Sequence, residues 1–115
     1  DLNIPELQKK AFPNLVPVKL DMPPEQAFEK ALETVKAMKW TLVAAVPEEG
    51  RIEAFDKTAW FGFIDDVVIR VAANDSGGST VDVRSKSRIG FGDAGKNGKR
   101  VTAYVNKLTG AGRHM

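Results

Sequence analysis

Residues 40–56, WTLVAAVPEEGRIEAFD, decide the fold of this chain. A turn made of a proline, two glutamates and a glycine lies between residues 40–46 and residues 51–56. Both of these runs contain β-branched and aromatic residues in a pattern of period two. Runs of this kind separated by a short turn are typical of an antiparallel hairpin. The sequence therefore predicts a fold built on an antiparallel sheet.

A helical pattern precedes this hairpin, and two strand patterns follow it. Apolar residues recur at helical spacing over residues 24–38, where prolines and a glutamate mark the start of the helix. Residues 66–72 and 79–87 continue the strand pattern on either side of a turn at 74–78 that contains two glycines. We expect these strands and the hairpin to form a four-stranded meander.

The two ends of the chain complete the predicted domain. Residues 16–21 alternate apolar and polar side chains, and Pro17 favours a position at the edge of a sheet. Near the other end, apolar residues lie on one face of a second helix, with Asp93 as its expected N-cap and Gly110 as its stop. We expect this helix to pack back on the sheet.

The resulting order of elements, β-α-β-β-β-β-α, indicates an α+β fold. We expect a two-layer sandwich, with both helices on one face of a four- to five-stranded antiparallel sheet. A sheet that curves around the last helix would be similar to the helix-grip or TATA-binding-protein-like folds. The expected divisions are an extended lead-in or linker at 1–15, a single domain at 16–109 and a flexible tail at 110–115.

Composition excludes several classes of function. The chain has 17 basic and 15 acidic residues, and a net charge of +2 is too small for a dedicated nucleic-acid binder. It has no cysteine, and its one histidine, His114, lies beside the C-terminus. A thiol nucleophile and a Ser-His-Asp triad are therefore not expected, and neither is a metal site or a cofactor. Enzyme activity is not the favoured hypothesis.

No stretch of this sequence approaches the roughly 18 apolar residues that a membrane-spanning helix needs. The chain begins at Asp1 rather than at a methionine, which is consistent with a leader or anchor upstream of it. The sequence predicts no transmembrane segment within these residues and leaves an upstream anchor open.

Two adjacent carboxylates are candidate site residues. Asp65 and Asp66 come at the start of a predicted strand, so their side chains should point to opposite faces of the sheet. They cannot then act as a facing pair, and we expect a turn or ion-pair role. For paired acid and base chemistry, Glu53 and Asp56 are the nearby candidates.

A charged ladder follows on the strand at 79–87. Side chains alternate between the two faces of a strand, so the charged side chains of this strand should all face away from the helices. They are Asp82, Arg84 and Lys86, followed after the end of the strand by Arg88. In one interpretation, this ladder is solvated and forms cross-strand ion pairs with Arg70 and Glu53.

The other interpretation of these basic residues is an anion site. Arg84, Arg88 and Arg100 would gather around the glycine-rich loop at 90–95 and bind a phosphate or carboxylate. This loop lacks the Lys-Ser/Thr pair of a P-loop. The corresponding enzyme hypothesis uses the three arginines to hold an anionic small molecule and Asp65 or Asp66 as the base.

An aromatic cluster, Trp60, Phe61 and Phe63, precedes the two aspartates. These rings could cover one end of the core, which is the structural interpretation. They could instead form a lid over an apolar ligand or touch a membrane surface, since aromatic rings favour bilayer interfaces.

From Phe12 to Leu108 the chain resembles domain-of-unknown-function family 1499, a bacterial group also found in plants. The resemblance rests on five segments, at residues 20–24, 38–40, 50–54, 60–66 and 82–90. The opening of the family's last helix is similar to Asp93, Gly95, Asn97 and Arg100, whereas Phe91-Gly92 replaces a pair that is often more polar in relatives. The resemblance implies no established activity, and many relatives carry membrane segments or export signals.

We therefore expect a non-catalytic binding or interaction module of the bacterial cell envelope, periplasmic or membrane-tethered, that takes an apolar ligand or a partner protein. A cytoplasmic location stays open. The alternatives are the enzyme described above and a structural domain appended to a membrane protein. The candidate binding residues are Trp60, Phe61, Phe63, Asp65, Asp66, Arg84, Arg88, Asp93, Asn97 and Arg100.

Overall fold

The computed structural model describes residues 16–57, 64–87 and 94–110. Its elements follow the predicted order: β1 (Val16–Leu20), α1 (Pro24–Ala37), β2 (Thr41–Val46), β3 (Arg51–Lys57), β4 (Ile64–Ala73), β5 (Ser79–Ser87) and α2 (Ala94–Thr109). A short 3-10 turn, Pro47–Glu49, joins β2 to β3. The α+β prediction is confirmed. The lead-in, most of the tail, the aromatic cluster, Arg88 and Asp93 lie outside the described residues.

The strands form one open antiparallel sheet in the order β1-β5-β4-β3-β2. The first strand pairs with β5 and lies at an edge, as Pro17 predicts, because proline has no N–H to donate to a second neighbour. The other edge is β2, which pairs with β3. Strand β4 begins at Ile64, two residues earlier than expected. The helix-grip or TATA-binding-protein-like comparison stays a prediction.

The core lies between the sheet and the two helices. Tyr104 of α2 is fully buried, stacks on Trp40 with ring centroids 5.3 Å apart, and donates a hydrogen bond of 2.7 Å to the carbonyl oxygen of Ala31 in α1. A buried tyrosine needs such an acceptor, because an unpaired hydroxyl in the core costs free energy. Tyr104 thus connects both helices to the start of β2.

Gly50 holds the hairpin against β4. Its φ of +64° is left-handed, and its carbonyl oxygen accepts a hydrogen bond of 2.7 Å from the N–H of Val71. A Cβ atom at this position would lie 2.1 Å from the carbonyl oxygen of Val71. Only glycine tolerates both the backbone conformation and this approach. At the end of α2, Gly110 has a φ of +78°, which agrees with its predicted role as the stop.

Candidate functional site

The two faces of the sheet differ in character. Alternation along β5 places Val81, Val83 and Ser85 on the face covered by the helices, where all three are buried. Asp82, Arg84 and Lys86 lie on the opposite face, which we call the open face. The predicted division of this strand into an uncharged and a charged half is therefore correct over the described residues 79–86.

A buried ion cluster lies on the helix-covered face, where β3 ends and β4 begins. The Arg100 guanidinium contacts Asp65 Oδ2 at 2.8 Å through Nη2 and donates to Asp56 Oδ2 at 3.1 Å through Nε. Its Nη1 donates to Ser85 Oγ at 3.4 Å. The side chains of Arg100 and Asp65 are 6% and 1% exposed, whereas that of Asp56 is 36% exposed.

This Arg100 cluster brings four elements to one point. Asp56 and Asp65 are directly opposite each other in the β3–β4 register, so their two carboxylates flank one cation that α2 supplies. Two carboxylates close together would repel each other, and the guanidinium offsets this with planar, directed hydrogen bonds. The cluster therefore fixes α2 to the ends of β3, β4 and β5.

Asp65 and Asp66 separate as the sequence analysis expected. Asp65 is buried on the helix-covered face, and Asp66 is half-buried on the open face, opposite Phe55 and Lys86 in the sheet register. The carboxylate brought close to Asp65 is Asp56, one of the two nearby candidates. Glu53, the other, pairs with Arg51 of its own strand, as Glu49 also does at 2.9 Å. The hydrogen bonds that Arg51 donates to these two glutamates raise the pKa of its guanidinium.

The structure does not bring Arg84 and Arg100 together. Arg84 lies on the open face and is 8% exposed. Arg100 lies on the other face, where it contacts Ser85, the residue that follows Arg84 in the chain. Adjacent residues of a strand point to opposite sides, so the sheet itself separates the two guanidinium groups. The anion and enzyme hypotheses required them at one loop, and the described residues do not show that grouping. Arg88, the third arginine, lies outside the described residues.

Asp82 and Arg84 form the polar centre of the open face. Asp82 lies opposite Arg70 in the β4–β5 register, and its Oδ1 is buried without a hydrogen-bond partner among the described residues. Burial raises the pKa of the Asp82 carboxyl, although the charges of Arg84 and Arg70 pull it downward. Burial likewise lowers the pKa of Arg84. In the register, Asp82 thus lies opposite Arg70, one of the two residues with which the ladder interpretation expects cross-strand ion pairs.

A recess of about 370 Å³ lies on the open face beside the β2 edge. Val43 and Val68 contribute its apolar side chains, and three charged residues, Glu53, Asp66 and Lys86, also line it. Ala54 and Val67 border the recess as well, but their side chains are buried on the helix-covered face. This volume is within the range of ligand pockets, about 300–1,000 Å³. Asp66 is the candidate residue from the sequence that lines it.

A second cavity of about 440 Å³ lies at the other end of the sheet, between the start of α1 and the 3-10 turn. Four glutamates contribute to its lining: Glu25, Glu29, Glu48 and Glu49. Over residues 16–57, 64–87 and 94–110, no group of three acidic, histidine or cysteine side chains could hold a metal ion. In the same ranges, no helix has both the length and the apolar character required to cross a membrane.

Several sequence candidates have no described side-chain position. Trp60, Phe61, Phe63, Arg88 and Asp93 lie outside the described residues, and Asn97 has a described backbone position in α2 only. Sequence analysis did not identify Asp56 and Ser85 as the partners of Arg100. It also did not identify Asp82 as a carboxyl group whose pKa is raised by burial. Alternation already placed Ser85 on the helix-covered face, but its partner on α2 could not be read from spacing.

The comparisons with known proteins give a family and no activity. No curated protein sequence matches this chain. A family model described as "Protein of unknown function (DUF1499)" matches residues 3–108, which include every described element except Thr109, the last residue of α2, and the turn after it. This match covers far more than half of the 115 residues, so the chain belongs to the DUF1499 family of proteins of unknown function.

Proposed function

We propose that this domain is a non-catalytic binding module of the bacterial cell envelope and that a partner protein docks on its open face. The observation that carries the proposal is the recess beside β2, which combines valine side chains with charges of both signs. Protein interfaces combine an apolar centre with a polar rim in this way. The envelope setting is supported by the export signals and membrane segments that the family resemblance implies.

The charges of the recess favour a polypeptide over a purely apolar ligand. A lipid tail would displace water from the charged groups of Glu53, Asp66 and Lys86 and offer them no polar group in exchange, which costs free energy. An extended peptide can pair its own charges and backbone groups with these residues while one apolar side chain fills the space above Val68. The chemistry of the site therefore favours a protein segment with both acidic and basic residues.

The Arg100 cluster supports a structural role for the residues that the enzyme hypothesis would use. Arg100 is directed at Asp65, Asp56 and Ser85, and Asp65 is almost completely buried. A catalytic base has to reach its substrate, and an anion-binding arginine has to direct its N–H groups at a ligand. The carboxylate of Asp65 and the guanidinium of Arg100 instead contact each other and hold α2 against the sheet.

The test is capture by the domain immobilised through its C-terminus, from a bacterial envelope extract and, separately, from a lipid extract. Val68→Asp places a charge in the recess, and Lys107→Asp, an exposed position on α2, is the matched control. We expect a protein retained by the wild type and by Lys107→Asp and lost with Val68→Asp. Retention of a lipid alone, or retention unaffected by Val68→Asp, would contradict a protein-binding recess.

A further inference from the structure

The two edges of the sheet are protected differently. Edge strand β1 carries Pro17, which has no N–H to offer, and the exposed charge of Lys19. Both are devices that prevent another strand from pairing with an edge. Edge strand β2, TLVAAV, has no proline and no charge, and it exposes Leu42 and Val43 by 40% and 57%. The β2 edge thus has the composition of a strand that accepts a partner.

From this contrast we propose that β2 pairs antiparallel with β2 of a second copy of this chain, so that two five-stranded sheets become one continuous sheet. The pairing uses the backbone edge of β2, whereas the recess of the proposed function lies on the open face; Val43 is the residue of β2 that contributes to both.

The register follows from the bulge in β2. The β2–β3 pairing shifts between Leu42 and Ala44, so Val43 is the extra residue and Leu42 and Ala45 come to lie on the same face. A two-fold axis through the bulge then places Leu42 of one copy opposite Ala45 of the other, a large side chain against a small one. Thr41 and Val46, which both lie on the open face, meet in the same way.

The charges on either side of β2 complement this arrangement. Lys39 precedes the strand and Glu48 follows it, and both are exposed. With the two-fold axis through the bulge, Lys39 of each copy lies at the same end of the paired strands as Glu48 of the other copy, which brings opposite charges together at both ends. A parallel pairing would instead put like charges together. The charge order along the chain therefore favours a second copy in the antiparallel orientation.

The interface is small, because one six-residue strand per copy is paired. Interfaces of this size are weak and transient. We therefore expect association that depends on concentration in the micromolar to millimolar range. The experiment is sedimentation velocity across that range, together with amide hydrogen exchange of β2 in the wild type at low and high concentration.

Val43→Lys should abolish association, since two lysines would meet beside the two-fold axis, and Ala103→Lys, at an exposed position on α2, should leave it unchanged. Lys39→Glu or Glu48→Lys alone should weaken the dimer by roughly two- to tenfold, as expected for two exposed ion pairs, and the double variant should restore it. Circular dichroism checks that each variant is folded.

A wild-type chain that stays monomeric at every concentration would overturn the proposal, as would association that Val43→Lys leaves intact. The proposal would also be overturned if the amide hydrogens of β2 in the wild type exchanged equally fast at low and at high protein concentration. Failure of the double charge swap to restore the dimer would overturn the register. Val43 also lines the recess, but the charge swap at Lys39 and Glu48 and the hydrogen exchange of β2 do not involve it, so the two proposals can fail independently.

Discussion

Replacing Arg100 by methionine should destabilise the fold severely. The substitution keeps most of the side-chain volume but leaves Asp65, which is 1% exposed, without its cation. Breaking a buried ion pair from one side costs about 3–5 kcal/mol, because the remaining charge is buried without compensation. Domains of this size have a free energy of unfolding of roughly 5–15 kcal/mol, so the loss would be a large fraction of the total.

Urea denaturation of wild type and Arg100→Met, followed by tryptophan fluorescence, measures this loss. A change of 1 kcal/mol shifts Tm by roughly 4–8 °C in a domain of 60–100 residues, so a thermal melt should fall by at least about 12 °C. Asp56→Asn is the matched control, since Asp56 contacts the same guanidinium but is 36% exposed. We expect it to cost no more than about 1 kcal/mol, the range of exposed ion pairs.

The double variant Arg100→Met with Asp65→Asn separates charge from packing. If the loss arises from an uncompensated carboxylate, the double variant should be more stable than Arg100→Met alone. A loss below about 1 kcal/mol for Arg100→Met would mean that the cluster behaves like a surface ion pair. The same conclusion would follow if Asp65→Asn restored nothing in the Arg100→Met background.

Three further predictions concern stability. Gly50→Ala should lower the free energy of unfolding by at least about 1–2 kcal/mol from its left-handed φ alone, and by more because of the close approach to Val71. In urea it should be less stable than Gly77→Ala, a position that also has a positive φ but has open space around it. Equal losses of stability in the two variants would be inconsistent with the close approach at Gly50. Tyr104→Phe should cost about 1–2 kcal/mol through the lost bond to Ala31, and a change within error would show that the hydroxyl is not needed. Asp82→Asn should be more stable than wild type at pH 7, because burial raises the pKa of Asp82 and the folded state therefore holds its proton more tightly than the unfolded state. The advantage of Asp82→Asn should shrink as the pH falls through the raised pKa towards 3.8. A variant that is less stable than wild type at pH 7 would contradict this direction.

The elements were predictable because their signals are local. Helix α1 has apolar residues at helical spacing after two prolines, and the β2–β3 hairpin has a proline and a glycine at its turn. The opposite directions of Asp65 and Asp66 follow from strand geometry alone. Pro17 likewise identified the edge strand, because an absent N–H excludes a central position in a sheet.

The contacts of the site could not be predicted because they join distant residues. Arg100 meets Asp56, 44 positions earlier, only after β3, β4 and β5 are aligned in one register. One of the two interpretations of the sequence put Arg84 and Arg100 in one anion site, but the alternation of β5 separates them, since Ser85 faces α2. The shift at Val43 also escaped sequence analysis, since nothing in TLVAAV marks which residue is the extra one.

The position of the Arg100 cluster has a consequence for how this sequence can vary. Asp56 lies next to the end of β3, Asp65 next to the start of β4 and Ser85 near the end of β5, and Arg100 of α2 contacts all three. Asp56, Asp65, Ser85 and Arg100 are therefore expected to vary together, because a change at one of them alters what the same guanidinium can bind.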